Sequence, residues 1–124
     1  PPDGGTYHPD HIAVSRWTTR AVEAAGGPTR LLYATTTPEW NAMISAMVDP
    51  GAVMMADRPM PSDPLDEMAE YTSLPDELAR RKVAALRHHA SQVEPMVAQV
   101  GEERFLDLAR WEFFRERRDD DWPA

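Results

Sequence analysis

Twelve prolines in 124 residues constrain this chain more than any other feature. A proline has no backbone N–H to give and its ring crowds the preceding turn, so it begins a helix well and continues one badly. Pro9, Pro38 and Pro75 each stand before a helical pattern and predict three helix starts. Pro50, Pro59, Pro61 and Pro64 fall in a stretch with little periodicity, which predicts a long loop over 49–64. Loops of that length in a small domain often serve as lids or binding segments, and Met54, Met55, Asp57 and Arg58 are its candidates. Pro95 predicts the end of the third helix.

Between these marks the apolar spacing supplies the elements. Val14, Trp17, Ala21 and Ala25 form a helical stripe after Pro9, closed by Gly26-Gly27, and Trp17 is assigned to the core. Arg30 to Thr37 reads as a strand with apolar residues on both faces (Leu31 and Tyr33 on one, Leu32 and Ala34 on the other). That pattern suits a sheet covered on both sides, an α/β unit whose parallel partner strands would precede Pro1. From Pro38 to about Val48 a second helix carries Trp40, Met43, Ile44 and Met47 on one stripe, with Thr37 as N-cap and Glu39 in the first turn. This stripe serves either as adaptable core or as the wall of an acyl or aglycone pocket. A short strand is expected at Glu70 to Thr72. The third helix runs from Pro75 to about Gln92, with Ser73 as a candidate cap and Ala79, Val83, Leu86, Ala90 and Val93 on its stripe. After Gly101 a last helix is expected from Glu102 to about Arg118, acidic where it opens and basic where it closes. Leu108, Trp111 and Phe114 widen its apolar surface beyond the stripe of Phe105, Leu106, Ala109 and Phe113, so it is either deeply buried or meets another subunit. Asp119-Asp120-Asp121 then reads as a solvated tail, and Arg80-Arg81-Lys82 and Arg115 to Arg118 as solvated helix faces.

The length allows one domain at most. A formal net charge of −8 leaves no basic patch that would suggest nucleic acid or an anionic membrane as partner. No apolar run approaches the length of a membrane span. There is no cysteine, so any metal must be held by His, Asp or Glu. The same absence fits a reducing compartment, and a cytoplasmic location is expected.

The chemistry is concentrated in Thr6-Tyr7-His8-Pro9-Asp10-His11, which holds two of the four histidines. With Pro9 as first helical residue, His8 falls at the cap, and Asp10 and His11 fall in the first turn. The free N–H groups of a helix N-terminus disfavour imidazolium, and a metal ligand must be a neutral imidazole. A nearby carboxylate such as Asp10, accepting one ring N–H, would fix the tautomer.

The string Pro2-Asp3-Gly4-Gly5 followed by His8-Pro9-Asp10-His11-Ile12-Ala13-Val14 resembles the second signature of the LmbE/PIG-L family of zinc-dependent N-deacetylases. A further match is Lys82-x-x-Ala85-Leu86-x-x-x-His89-x-Ser91-Gln92. The resemblance implies an α/β fold, the C-terminal part of a Rossmann-like deacetylase domain, here a helix-rich fragment with one or two strands over residues 1–124. It implies removal of an acetyl group from an N-acetylglucosaminyl-type or related amide, a small-molecule partner. It implies His11 as a ligand to zinc or another divalent metal, and His8 as the group facing the reacting carbonyl, stabilising the oxyanion or protonating the leaving amine. Asp10 would orient His8. Asp3 and Tyr7 are candidate substrate contacts, with a turn role the default for Asp3. The family often has Gly where this chain has Tyr7. Thr6 before it leaves open a role for a hydroxyl from this loop. His89 is expected to pack near the site rather than bind metal. The family's other signature, His-Pro-Asp-Asp-Glu, which supplies two further ligands and the general base, does not occur in these residues. The isolated chain is therefore expected not to hydrolyse its substrate alone, and homo-oligomer formation stays open. A different class of function is carried alongside: a non-catalytic interaction or structural module acting through the apolar C-terminal helix. Zinc stoichiometry separates the two.

Overall fold

The computed structural model describes residues 1–49, 51 and 54–122. Helix α1 spans Pro9–Ala25, strand β1 Leu32–Ala34, and helix α2 Pro38–Ser45. A single 3-10 turn at Leu65–Glu67 leads into β2 (Glu70–Ser73). Three further helices, α3 (Asp76–Leu86), α4 (Ala90–Val100) and α5 (Glu102–Ala109), precede β3 (Trp111–Glu116). The proline starts of α1 and α2 hold. Thr37 caps α2 by accepting the Trp40 N–H at 3.1 Å, and His8 caps α1 by accepting the Asp10 N–H at 3.2 Å.

The core lies between the helices. Ile44, Val48, Val97, Val100, Phe105 and Leu108 are buried together, with Trp40, Met47, Met60, Val83, Leu86, Val93 and Met96 packed against them. The methionine stripe of α2 contributes Met47 to this core, while Met43 is exposed. The apolar surface of the predicted last helix is thus largely internal: Phe105, Leu108 and Phe113 are each buried within this chain. Trp111, of the same segment, stays exposed.

The fold is mixed helix and sheet, but the sheet differs from expectation. It has three strands in the order β1-β3-β2, and both pairings are antiparallel, not parallel. The predicted helix 102–118 ends at Ala109, and Trp111–Glu116 forms the central strand. The run Trp-Glu-Phe-Phe-Arg-Glu satisfies a period of two as well as a helical one, and its aromatic content suits a pleated surface. In the strand, Phe113 and Arg115 share the buried face, and both backbone edges find partners, Tyr33 opposite Arg115 and Tyr71 opposite Phe113. Arg110 seals the junction, donating to the Leu74 carbonyl at 3.1 Å and pairing with Asp76 at 2.9 Å.

Four other expectations are corrected. The helix predicted over 75–92 breaks at Arg87–His89, where the Arg87 guanidinium bonds Glu94 at 2.9 and 3.1 Å and Glu102 at 3.1 Å, holding the bend between α3 and α4. Pro95 therefore sits inside α4 instead of ending it. It costs one main-chain bond near the start of a helix that begins only at Ala90. Ser73 makes no cap: Pro75 stands at the N-cap of α3 without a side-chain bond. Trp17 is 69% exposed, and Val14 is exposed beside it. Helix α1 docks through another face, set by Thr19, whose hydroxyl is buried against the Tyr33 hydroxyl at 2.6 Å, and by Glu23, paired with Arg117 at 2.7 Å.

The C-terminal charges are part of the structure, not a solvated face and tail. Arg115 is almost fully buried. Its guanidinium donates to both carboxylate oxygens of Asp121 at 2.8 and 2.6 Å, faces Asp63 at 3.2 Å and lies 5.2 Å above the Tyr33 ring. Arg118 pairs with Asp63 at 2.8 Å and gives its backbone N–H to Asp121 at 2.8 Å. This network ties the loop at Asp63, β1, β3 and the tail into one unit.

Candidate functional site

The site is built where residues 1–7 fold back on the first turn of α1. Asp3 makes the turn: its carboxylate accepts the Gly5 N–H at 2.6 Å, and its carbonyl accepts the Tyr7 N–H at 2.8 Å. Gly4 has φ +65°, and a Cβ there would stand 2.7 Å from both the His11 Cβ and the Ile12 backbone nitrogen. Only a glycine lets the loop lie this close to the helix.

That close approach decides the state of His11. Its Nδ1 lies 3.2 Å from the Gly4 carbonyl oxygen and 3.1 Å from the Thr6 hydroxyl. A carbonyl only accepts, so the Gly4 contact is a hydrogen bond in the tautomer with the proton on Nδ1, the one that leaves the Nε2 lone pair free. His8 is set the opposite way. Its Nδ1 accepts the Asp10 backbone N–H, so its neutral ring carries the proton on Nε2. The two rings lie 5.1 Å apart, tilted by 38°. Side by side, the pair offers one imidazole lone pair and one imidazole N–H. The Asp10 carboxylate stands 3.9 Å from His8 Nδ1 and is largely exposed, so the contact between these residues runs through the Asp10 main chain.

Tyr7 adopts φ +60°, the left-handed region that glycine fills without cost. It is held there from outside: its hydroxyl donates to the Pro59 carbonyl at 3.1 Å, and the Arg58 guanidinium lies 5.5 Å from its ring. The Met55 N–H also donates to the Thr6 carbonyl at 2.9 Å. The described part of the long loop thus seats on the histidine loop, a connection with no sequence signal beyond the loop's length. His89 lies exposed at the start of α4, and among the described residues no side-chain hydrogen bond joins it to the histidine pair. Lys82, in the same matched string, pairs with Glu112 at 2.7 Å.

A catalytic zinc site takes about three protein ligands and an open position. Among the described residues no three His, Cys, Asp or Glu side chains come together to hold a metal ion. His11 fits the part of a single ligand, and the set as a whole does not fit a complete zinc site.

The packing at Gly4 makes a direct prediction. Gly4→Ala places a non-glycine residue in the left-handed region, at a cost of about 1–2 kcal/mol, and adds overlap with His11 and Ile12. A fall in melting temperature of about 5–10 °C is expected, together with loss of the fixed His11 tautomer in nitrogen chemical shifts. A variant that melts like the parent would mean that the loop does not lie on the helix as described.

No family model and no solved structure matches this chain. Among curated proteins it is 37% identical over 103 residues to the 1D-myo-inositol 2-acetamido-2-deoxy-alpha-D-glucopyranoside deacetylase of Tsukamurella paurometabola, covering 73% of this chain and 35% of that protein. It is likewise 37% identical over 98 residues to the enzyme of the same name from Saccharomonospora viridis, covering 74% of this chain and 35% of that protein. The matched region is about a third of the length of either relative. Across most of its own length, then, the chain is similar to one part of bacterial deacetylases of an acetamido-sugar conjugate.

Proposed function

We propose that this chain is the portion of a metal-dependent N-deacetylase, of the LmbE/PIG-L type, that presents two imidazoles to an acetamide. The substrate class is an N-acetylglucosaminyl conjugate or a related small amide. The observation that carries the reading is the opposed Nδ1 partners of the two rings, a main-chain N–H for His8 and a main-chain carbonyl for His11, which suit a ring with an Nε2–H and a ring with a free Nε2 lone pair.

Each ring then has a role. His11 supplies one ligand to a divalent ion, zinc foremost, and its Nδ1–H is anchored by the Gly4 carbonyl so that Nε2 points its lone pair outward. His8 gives its Nε2–H to the carbonyl oxygen of the amide as that oxygen gains charge. A proton donor to the leaving amine would have to be imidazolium, with a proton on Nδ1 as well, and Nδ1 already accepts from the Asp10 N–H. The geometry therefore favours oxyanion stabilisation. Asp10 positions His8 through its main chain, and its carboxylate adds a nearby negative charge. Activation of the hydrolytic water and the remaining metal ligands lie outside the described residues.

The test is amine release from N-acetylglucosaminyl conjugates by the protein that carries these residues, supplied with zinc, with zinc stoichiometry measured by atomic emission in parallel. Free amine above the buffer rate is expected. Folded, zinc-supplied protein that releases none from any acetamido sugar would overturn the reading.

A further inference from the structure

The loop that carries the two imidazoles bends through Gly4 at φ +65°, Gly5 at φ +77° and Tyr7 at φ +60°. Glycine adopts that conformation freely, and a tyrosine does not. Tyr7 must therefore be held there. Its N–H donates to the Asp3 carbonyl at 2.8 Å, inside the loop's own turn. Its other holds come from one distant segment: the hydroxyl donates to the Pro59 carbonyl at 3.1 Å, and the Arg58 guanidinium stands 5.5 Å from the centre of the ring. One residue earlier, the Thr6 carbonyl accepts the Met55 N–H at 2.9 Å. The histidine loop and residues 55–59 are thus joined at two points, one through the main chain and one through Tyr7, directly before His8.

The far side of this clamp is fixed to the scaffold. The amide nitrogen of Asn41, a buried residue of α2, donates to the Met60 and Pro61 carbonyls at 3.2 and 3.0 Å. The Pro61 carbonyl also accepts the Thr36 hydroxyl at 2.8 Å, and the Asp63 N–H donates to the Thr36 carbonyl at 2.9 Å. Pro59 and Pro61 each have a fixed φ, which leaves little slack between Asn41 and the carbonyl that holds Tyr7. A continuous run of bonds therefore leads from α2 to Tyr7, and Tyr7 leads to both rings. His8 is the next residue, and the turn that Tyr7 closes brings the Gly4 carbonyl and the Thr6 hydroxyl to His11 Nδ1 at 3.2 and 3.1 Å. The Tyr7 hydroxyl proton is already given to Pro59, which argues against this side chain as a donor to substrate.

We infer that Tyr7 is a positioning residue: through its hydroxyl and its ring it ties the histidine loop to the scaffold and sets where His8 and His11 aim. The inference rests on the function proposed above and adds to it the residue by which this chain fixes its imidazoles, at a position where glycine would leave the turn free. Groups held in place before the substrate arrives need no ordering in the reaction itself.

The test compares Tyr7→Phe and Tyr7→Gly in the zinc-supplied protein that carries these residues. Phenylalanine keeps the ring and gives nothing to Pro59. Glycine suits the positive φ and gives up both holds. Misplacing a reacting group by about 1 Å costs up to about 10²-fold in rate. The kcat for amine release is therefore expected to fall about tenfold in Tyr7→Phe and about 10²-fold in Tyr7→Gly, with KM within about twofold of the parent. The melting temperature of Tyr7→Gly should stay within about 3 °C of the parent, because relief of the unfavourable φ offsets the lost contacts. A second readout needs no substrate. The imidazole nitrogen signals of His8 and His11, assigned from their alanine variants, should shift or broaden in Tyr7→Gly as the rings lose a single orientation. Parental kcat in folded Tyr7→Gly, or unchanged histidine signals, overturns the inference. A rise in KM alone would make Tyr7 a substrate contact and overturns it as well. If the parent releases no amine while the histidine signals still move, the clamp stands and the reaction fails, so the two failures are distinguishable.

Discussion

In a protein that carries these residues together with the remaining ligands of the proposed site, His11→Ala is expected to leave the fold intact but to lose zinc, while His8→Ala keeps zinc and loses turnover. The contrast follows from the tautomers. The His11 Nδ1–H is anchored to a main-chain carbonyl, and only its Nε2 is left to bind an ion. His8 holds its Nδ1 against a main-chain N–H and has a proton on Nε2, which can donate but cannot ligate. Loss of one such donor to a developing oxyanion lowers kcat by about 10²–10³-fold, with KM little changed. Loss of a ligand lowers zinc content itself, and activity falls with it. Both side chains are partly exposed or exposed at the helix start, so neither substitution opens a core cavity. The measurement is zinc per chain by atomic emission beside kcat and KM for each variant. Full zinc occupancy in His11→Ala would exclude it as a ligand. Unchanged kcat in His8→Ala would exclude it from the reaction. A subsidiary check is Asp10→Asn, which keeps the backbone N–H that orients His8 and should cost far less than His8→Ala.

Local chemistry made part of this legible from sequence. Pro9 and Pro38 start their helices, Thr37 and His8 cap them, and the histidine string stands where a loop meets a helix. Glu70–Ser73 is a strand close to where it was expected. What sequence missed was decided by partners far along the chain. Trp111–Glu116 fits both periods, and only the presence of Leu32–Ala34 and Glu70–Ser73 on either side selects the strand. Arg87–His89 contains no glycine or proline, and the break there is held by Glu94 and Glu102. Arg115 and Asp121 look solvated because charged residues usually are, and their burial depends on Asp63 being brought in by the long loop. In the site, the motif named the histidines, but the main-chain carbonyl that meets His11 Nδ1 is brought in by a close backbone approach at Gly4 that no residue pattern states.

That buried charge network makes the largest stability prediction. Arg115→Met removes the cation between Asp63 and Asp121, whose side chains are only 13% and 7% exposed. Breaking a buried ion pair from one side costs about 3–5 kcal/mol, because the remaining carboxylates stay desolvated without their partner. Arg118 still reaches both aspartates, through its guanidinium and its backbone N–H, so the low end of that range is expected. In a domain of this size the loss corresponds to a fall in melting temperature of about 10 °C or more. Pairing the change with Asp121→Asn should recover part of it, since one unpaired charge is then gone. The effect also depends on pH with a definite sign. Burial alone would raise the Asp121 carboxyl, but the Arg115 hydrogen bonds, the Arg118 backbone N–H and the two guanidinium charges outweigh it and hold it below the ordinary carboxylate value. The same contact raises Arg115, which therefore stays charged throughout. A depressed carboxyl contributes stability that is fully present above its unfolded value, about 4, and is lost as pH falls through the folded value. The gap in melting temperature between the parent and Arg115→Met should accordingly be widest near neutral pH and close below about pH 4. A shift under about 2 °C at pH 7, or a gap that does not change with acid, would mean that Arg115 is not the ion holding the C-terminal strand and tail to the loop at Asp63.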